Sequence, residues 1–315
     1  MYKKLFLIFG GTGREREVSF SSSRNIEKVL TENNFPYESI NVDKDGNWIY
    51  KDKILNEKEW VDILKENNAL VFQVIHGTYG EDGFLSELLE ENNISCVGST
   101  AEVMKLTIDK FATEKTLKEN DIKTTSSFIV NVDTDLDKIE INYPAIIKPN
   151  SEGSSVALFK VKNEEELKKV LRETVPVYRT MLVQELVKGR EFTCGVVDID
   201  GITQALLPTE IILTKGETFD YEAKYTVGGS KEVTPADIDD ELTKKIQDLA
   251  LKVHEVCGCK DISRTDMILR DDGGIVVLEI NTIPGMTKTS FIPAQLEASG
   301  YSIMDFVGGM MKKYS

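Results

Sequence analysis

An open parallel α/β unit followed by α+β units is the fold that this sequence predicts, on three observations. Across the first hundred residues, apolar runs alternate with amphipathic stretches, the β-α-β-α-β order of a parallel sheet covered by helices. From about Thr100 that order gives way to strands joined by a glycine-containing loop, the mark of an antiparallel hairpin with helices on one face. Near the C-terminus, SRTDMILR and IVVLEINT flank DDGG, and Asp-Gly is a favoured hairpin turn because both positions take positive φ.

The elements follow in order. KKLFLIF reads as the first strand; lysines and an apolar run also begin a secretory leader, but this run stops at Gly10 and no small-residue cleavage site follows. SFSSSRNIEKVLTENN is a helix, YESINVD a strand, NVDKDGNW a short polar connection, EKEWVDILKENN a helix and ALVFQVIHG a strand. The next unit starts with AEVMKLTIDKFATEKTLKEN as one helix, then strands SSFIV and YPAIIKP, the loop NSEGSS, strand VALFKV, helix EEELKKVLRET and strand MLVQELV. The remainder holds EFTCGVVDIDGITQALLPTEII, with a turn at Asp200 and Gly201, and then the glycine-bearing TKGETFDYEAKYTVGGS. DELTKKIQDLALKVHEVCG follows as a long helix, then the strand pair and a C-terminal helix. The expected units are 1–98, 99–185 and 186–315.

At 315 residues, with 41% hydrophobic and 29% charged residues, the chain has the composition of a folded globular protein and the length for two or three units. A net charge of −15 argues against nucleic-acid or anionic-membrane partners, while leaving room for a small anion at a local cluster of cations. No run of about 18 apolar residues exists to span a membrane. Cys96, Cys194, Cys257 and Cys259 are scattered and lack the paired spacing of a zinc site, so they read as reduced structural thiols in a cytoplasmic protein.

The C-terminal hairpin is the most informative site. A turn centred on Asp272 and Gly273 pairs Asp266 with Glu279 and Arg264 with Asn281, all four on one face. At about 5 Å and an effective dielectric of about 20, two such carboxylates repel by roughly 3 kcal/mol, so a cation is expected nearby. Asp, Glu and Asn oxygens on a rigid hairpin suit magnesium, which usually takes phosphate oxygens as further ligands; a solvated surface face is the plainer reading. The flanking Met267, Leu269, Val277 and Ile280 weigh against that one.

Other candidates are weaker alone. Lys148 ends a strand before the small-residue loop from Glu152 to Ser155, where backbone N–H groups and hydroxyls can approach phosphate. No Walker sequence is present, and a plain turn explains the loop equally. GGTGREREVS follows the first strand and opens the first helix, but Arg16 stands where a dinucleotide fingerprint needs its last glycine. Glu15 and Glu17 there offer carboxylates to an ammonium or serve as first-turn helix acids. His76 lies at the carboxyl end of a strand, where open α/β sheets bind ligands, or is structural. His254 is a helix residue.

Taken together, GGTGREREVS, HGTYGEDG, the lysine of TIDK, IIKPNSEGSSVALFKV, QELVKGREFT, TFDYEAKYTVGG, SRTDMILR and LEINTIPGMTKTS resemble, in order, the signatures of the D-alanine--D-alanine ligases. They run from Gly10 to Ser290. The resemblance implies an ATP-grasp fold, an N-terminal parallel α/β domain followed by two α+β domains clasping ATP. It implies ATP and D-alanine as substrates, two magnesium ions that manganese can replace, a cytoplasmic homodimer, and no nucleic-acid or membrane partner. Lys110, Lys148 and Lys224 would hold the phosphates, Glu185 and Glu191 the adenine and ribose, and Asp266, Glu279 and Asn281 the metal ions. Glu15 would bind the first ammonium beside His76, in a network with Ser154 and Tyr225. Arg264 and the Gly285 backbone would stabilise the oxyanion, and Ser290 would receive the second carboxylate beside Phe291.

The implied reaction passes through an acyl phosphate, which a lid from about Thr214 to Ser230 would shield from water. Gly13, Ala157, Gln184, Ile108 and Phe291 depart from the residues usual in the family. Gly13 and Phe291 fall near substrate positions, so the second substrate stays open between D-alanine and D-serine, D-lactate or another amino acid.

Overall fold

A computed structural model describes residues 3–153, 157–213 and 229–315. The first sheet is built on β1 (Lys4–Gly10), whose run of apolar side chains is buried on both faces, as a central parallel strand requires. With β2 (Tyr37–Val42), β3 (Trp48–Tyr50), β4 (Lys53–Leu55), β5 (Ala69–Gln73) and β6 (Ser95–Val97) it forms the order β4-β3-β2-β1-β5-β6. Strands β1, β2 and β5 are parallel, as the alternating pattern predicted, and β6, which it did not foresee, extends the parallel set. The segment expected as a bare connection after β2 instead adds β3 and β4 antiparallel at the edge. Helices α1 (Arg16–Glu32), α2 (Glu57–Glu66) and α3 (Phe84–Glu91) cover the sheet. A capping box of Asn56 and Glu59 starts α2.

The expected single helix after Thr100 is two: α4 (Ala101–Ile108) and α5 (Lys110–Glu119). Asp109 breaks it with an extended ψ of 98° and caps the new helix by accepting the Ala112 N–H at 2.8 Å. This restart makes Lys110 the first residue of α5, held by the Lys110 N–H to the Asn150 carbonyl at 3.1 Å.

The second sheet, β7 (Ser127–Val130), β8 (Ala145–Pro149), β9 (Phe159–Val161) and β10 (Met181–Glu185), is antiparallel in the order β7-β10-β8-β9. Helix α6 (Glu164–Tyr178) packs on it around Ile147, Leu167, Leu171 and Val183. The third sheet takes β11 (Arg190–Ile199), β12 (Ile202–Ala205), β13 (Thr209–Leu213), β14 (Ser230–Val233), β15 (Ile262–Leu269) and β16 (Ile275–Asn281) in the order β14-β13-β11-β15-β16, with β12 paired to β11. Asp200 and Gly201, at φ 52° and 79°, make the predicted turn between β11 and β12. Helix α7 (Asp240–Val256) covers this sheet, and the C-terminal helix resolves into α8 (Phe291–Ala298) and α9 (Ile303–Lys313).

The first and third sheets share one core, in which Leu5, Leu7 and Phe72 meet Val197, Ile199 and Phe306. The second sheet has its own core. Leu117 of α5 packs with Val253 of α7 and Ile280 of β16, so this helix leans on the third sheet although it precedes the second in sequence. Among the described residues no helix is long and apolar enough to cross a membrane.

Candidate active site

Strands β15 and β16 pair Arg264 with Asn281 and Asp266 with Glu279, the register expected from sequence. The path to it differs. Gly273, at φ 78°, closes a turn in which Gly273 N–H donates to the Arg270 carbonyl and Arg270 N–H to that of Gly274, so the loop is one residue longer than the expected turn. Its pairing is offset by one, Leu269 with Ile275 and Met267 with Val277, until a bulge beside Leu278 restores the predicted partners.

The four side chains line one cleft with Glu81, Lys110, Lys148, Gly153, Glu191 and Phe291. Lys148 lies 3.5 Å and Lys110 3.8 Å from the same oxygen of Glu279. Arg264 grips Asp266 with two prongs, at 2.9 and 2.8 Å. Burial works against the charge of Arg264, but Asp266, first, and Glu279 overcome it and hold the guanidinium protonated. Burial lowers Lys148, against the pull of Glu279. Lysine and arginine side chains thus supply positive charge beside both opposed carboxylates. Among the described residues no group of three or more His, Cys, Asp or Glu gathers as a metal site. Two carboxylates and the Asn281 amide, whose Oδ1 accepts the Ile283 N–H at 2.9 Å, are the donor set at the hairpin. Such hard oxygens fit a magnesium ion that completes its shell with phosphate and water.

The cleft continues between the second and third sheets. Ile146, Leu158, Ile211 and Leu278 make apolar walls, and Gln184, Glu185 and Glu191 put polar atoms at the end and rim. Among the described residues the Oε1 of buried Gln184 finds no hydrogen-bond partner, and Glu185 accepts the Ser126 N–H at 3.2 Å. A flat apolar slot with an unmet buried acceptor suits a heteroaromatic base that carries an amino group.

On the other side of Arg264 lies a second pocket, lined by Glu15, His76, Gly285, Ser290 and Phe291 among others. The buried His76 ring bridges the Ile283 carbonyl, 3.0 Å from Nδ1, and the Ser22 hydroxyl, 3.3 Å from Nε2, so it ties the loop after β5 to α1 and to the loop after β16. A Cβ on Gly285 would lie 2.6 Å from Ser290 Oγ, so glycine there leaves room for that hydroxyl as it stands. The Arg264 guanidinium sits 5.5 Å from the Phe291 ring centre. Ala157 takes a left-handed φ of 54°.

Of the residues singled out from sequence, the structure brings Glu15, His76, Lys110, Lys148, Glu191, Arg264, Asp266, Glu279, Asn281, Gly285, Ser290 and Phe291 around two adjoining pockets. Glu185 lies at the far end of the slot. Ser154, Lys224 and Tyr225, and most of the expected lid from about Thr214 to Ser230, lie outside the described residues. Sequence reasoning missed Glu81, whose carboxylate lines the phosphate-side cleft. Burial, then the charge of Glu15, push this carboxyl up to about 8, against the Gly77 N–H, Lys110 and Arg264. The signal for it was present: HGTYGEDG places a carboxylate in a glycine-rich turn five residues beyond His76.

A parallel α/β unit joined to two sheets that enclose a lysine-lined slot is the architecture of an ATP-grasp ligase, and solved structures of that kind share it. Residues 4–99 match the family model described as the D-ala D-ala ligase N-terminus, and residues 110–312 match the D-ala D-ala ligase C-terminus. The chain belongs to the D-alanine--D-alanine ligase family. It is 35% identical to the D-alanine--D-alanine ligase of Fervidobacterium nodosum over 98% of both chains. Against the ligase of that name from Oceanobacillus iheyensis it is 31% identical, covering 99% of this chain and 95% of the relative. Among solved structures, the VanG D-Ala:D-Ser ligase from Enterococcus faecalis superposes with a TM-score of 0.85 at 30% identity, each chain covered in full. The D-alanine-D-alanine ligase from Coxiella burnetii gives 0.81 at 25% identity, over 99% of this chain and 94% of that one.

Proposed function

We propose that this chain joins two molecules of D-alanine to D-alanyl-D-alanine at the expense of ATP, supplying the dipeptide for peptidoglycan precursors. The observation that carries the reading is the position of Arg264, which lines both the lysine-rich cleft and the amino-acid pocket and so stands where a phosphoryl group and a carboxylate would meet. The base of ATP lies in the slot beside Gln184 and Glu185, with Glu191 near the ribose. Lys110, Lys148 and, from outside the described residues, Lys224 receive the phosphates. Asp266, Glu279 and Asn281 hold magnesium, which when bound offsets phosphate charge.

The first D-alanine docks its ammonium on Glu15 near His76, and its carboxylate attacks the γ-phosphoryl group, releasing ADP and leaving an acyl phosphate. The amine of the second D-alanine, placed by Ser290 and Phe291, attacks that carbonyl carbon, and phosphate departs as the peptide bond forms. The Gly285 N–H and the fixed guanidinium of Arg264 stabilise the oxyanion, preorganised by Asp266. Ser154 and Tyr225 complete the network around Glu15, and the segment from about Thr214 to Ser230 excludes water. Each sheet also has a core of its own, around Phe6 and Trp60, around Ile147 and Leu171, and around Phe192 and Ile246, which supports units at 1–98, 99–185 and 186–315. A cytoplasmic homodimer is proposed on the family alone.

The experiment is phosphate release from ATP with D-alanine, D-serine, D-lactate and L-alanine in turn, with products identified by mass. D-alanine alone should support turnover and yield the dipeptide. The likeness to the VanG D-Ala:D-Ser ligase favours, as a second reading, a ligase that takes D-serine or another second substrate. Turnover that required such a partner would establish it, and nucleotide binding without phosphate release in every mixture would sink both.

A further inference from the structure

Glu81 lies where the two pockets adjoin, and no role above uses it. It is 6% exposed, and its Oε2 accepts the Gly77 N–H at 2.8 Å. Two glycines show how closely a second carboxylate approaches. A Cβ on Gly77 would lie 2.9 Å from Glu15 Oε2; a Cβ on Gly153 would lie 2.6 Å from that oxygen and 3.5 Å from Glu81 Oε2. Both carboxylates therefore border the volume beside Gly153, Glu15 closely and Glu81 at van der Waals distance.

The charged groups facing Glu81 come from every side: Glu15 from the start of α1, Lys110 from α5 and Arg264 from β15. Among the described residues, both of these cations are already engaged. Lys110 donates to the Glu152 carbonyl at 2.6 Å and lies 3.8 Å from Glu279, and both prongs of Arg264 are on Asp266. Two ionised carboxylates there would share too little compensation, and burial makes the deficit worse.

We propose that Glu81 is a positioning residue that works as an uncharged carboxylic acid, holding the turn from Gly77 to Glu81 while leaving Glu15 to carry the charge that meets the substrate ammonium. The inference rests on the ligase reading of the two pockets. Its acidity supports it, since Glu81 stands near 8 rather than in the usual carboxylate range. Nucleotide phosphates in the adjoining cleft add negative charge and engage Lys110, which favours the protonated form further. Binding of nucleotide near pH 8 then draws a proton onto Glu81.

The test is calorimetric titration of magnesium-ADP into the full chain at pH 8, in buffers of different ionisation enthalpy, for the parent protein and Glu81→Gln. Uptake of a substantial fraction of a proton by the parent, abolished in Glu81→Gln, is the expected result. In steady-state assays Glu81→Ala should raise KM for the first D-alanine by about tenfold or more, and Glu81→Gln should rescue most of that loss. Equal proton uptake by parent and Glu81→Gln, or a Gln variant as impaired as the Ala variant, would overturn the inference while leaving the ligase reading intact. Failure of the parent to bind nucleotide at all would overturn both.

Discussion

Arg264 and Asp266, two residues apart on β15, face the same way and close a two-pronged ion pair, Nε to Oδ1 at 2.9 Å and Nη2 to Oδ2 at 2.8 Å. Thr193 on the neighbouring strand donates its hydroxyl to the same Oδ1. A side chain fixed on both edges cannot swing away when charge develops beside it, which is the condition for electrostatic stabilisation without reorganisation.

Arg264→Lys tests that geometry. Lysine keeps the charge but cannot fill both prongs. We expect kcat to fall by about 10²-fold, the order seen when one oxyanion donor is lost, with a melting temperature close to that of the parent. Phosphate-release kinetics and thermal melts check it; wild-type turnover would remove Arg264 from the chemistry.

Glu279→Gln removes the carboxylate that Lys110 and Lys148 share. If that oxygen also receives magnesium, turnover should fall by roughly 10³-fold, as for loss of a charge-stabilising ligand, while circular dichroism stays unchanged. A fully active variant would refute the metal assignment.

Gly153→Ala places a methyl group 2.6 Å from Glu15 Oε2. Glu15 must then shift, and displacement of about 1 Å in a reacting array costs about 10²-fold. The loss should appear mainly in kcat/KM for the first D-alanine, with nucleotide affinity by calorimetry little altered.

Acid stability carries a separate signature from His254. Burial lowers its pKa from 6.5 to about 4, and its Nδ1 lies 2.7 Å from the Ser263 hydroxyl. Between those values the unfolded chain binds the proton and the folded chain does not. Stability must therefore fall as pH drops from about 6.5 to about 4, by roughly 3 kcal/mol from this group. His254→Gln should flatten that part of the denaturation profile relative to the parent. An unchanged slope would place the acid sensitivity elsewhere.

Legibility in the sequence followed the range of the interaction. The hairpin partners Asp266 with Glu279 and Arg264 with Asn281 were readable because alternation and a turn act within one short ribbon. The reading reached them through compensating offsets, a longer turn and a bulge beside Leu278, which periodicity does not distinguish from an unbroken register. The helix break at Asp109 was missed because LTIDKFATE keeps a helical pattern, and only the extended ψ at Asp109, with its side chain capping Ala112, starts the second helix there.

By itself the sequence determined the main alternation of strands and helices, the parallel character of the first sheet and the family, because hydrophobic period, turn chemistry and ordered motifs are local properties of the chain. The tertiary structure alone decided which charges neutralise one another. Glu279 finds Lys110 and Lys148 from two other elements, and Glu81 meets Glu15 across Gly153. Burial then sets the protonation of these groups, and burial exists only once distant segments have packed.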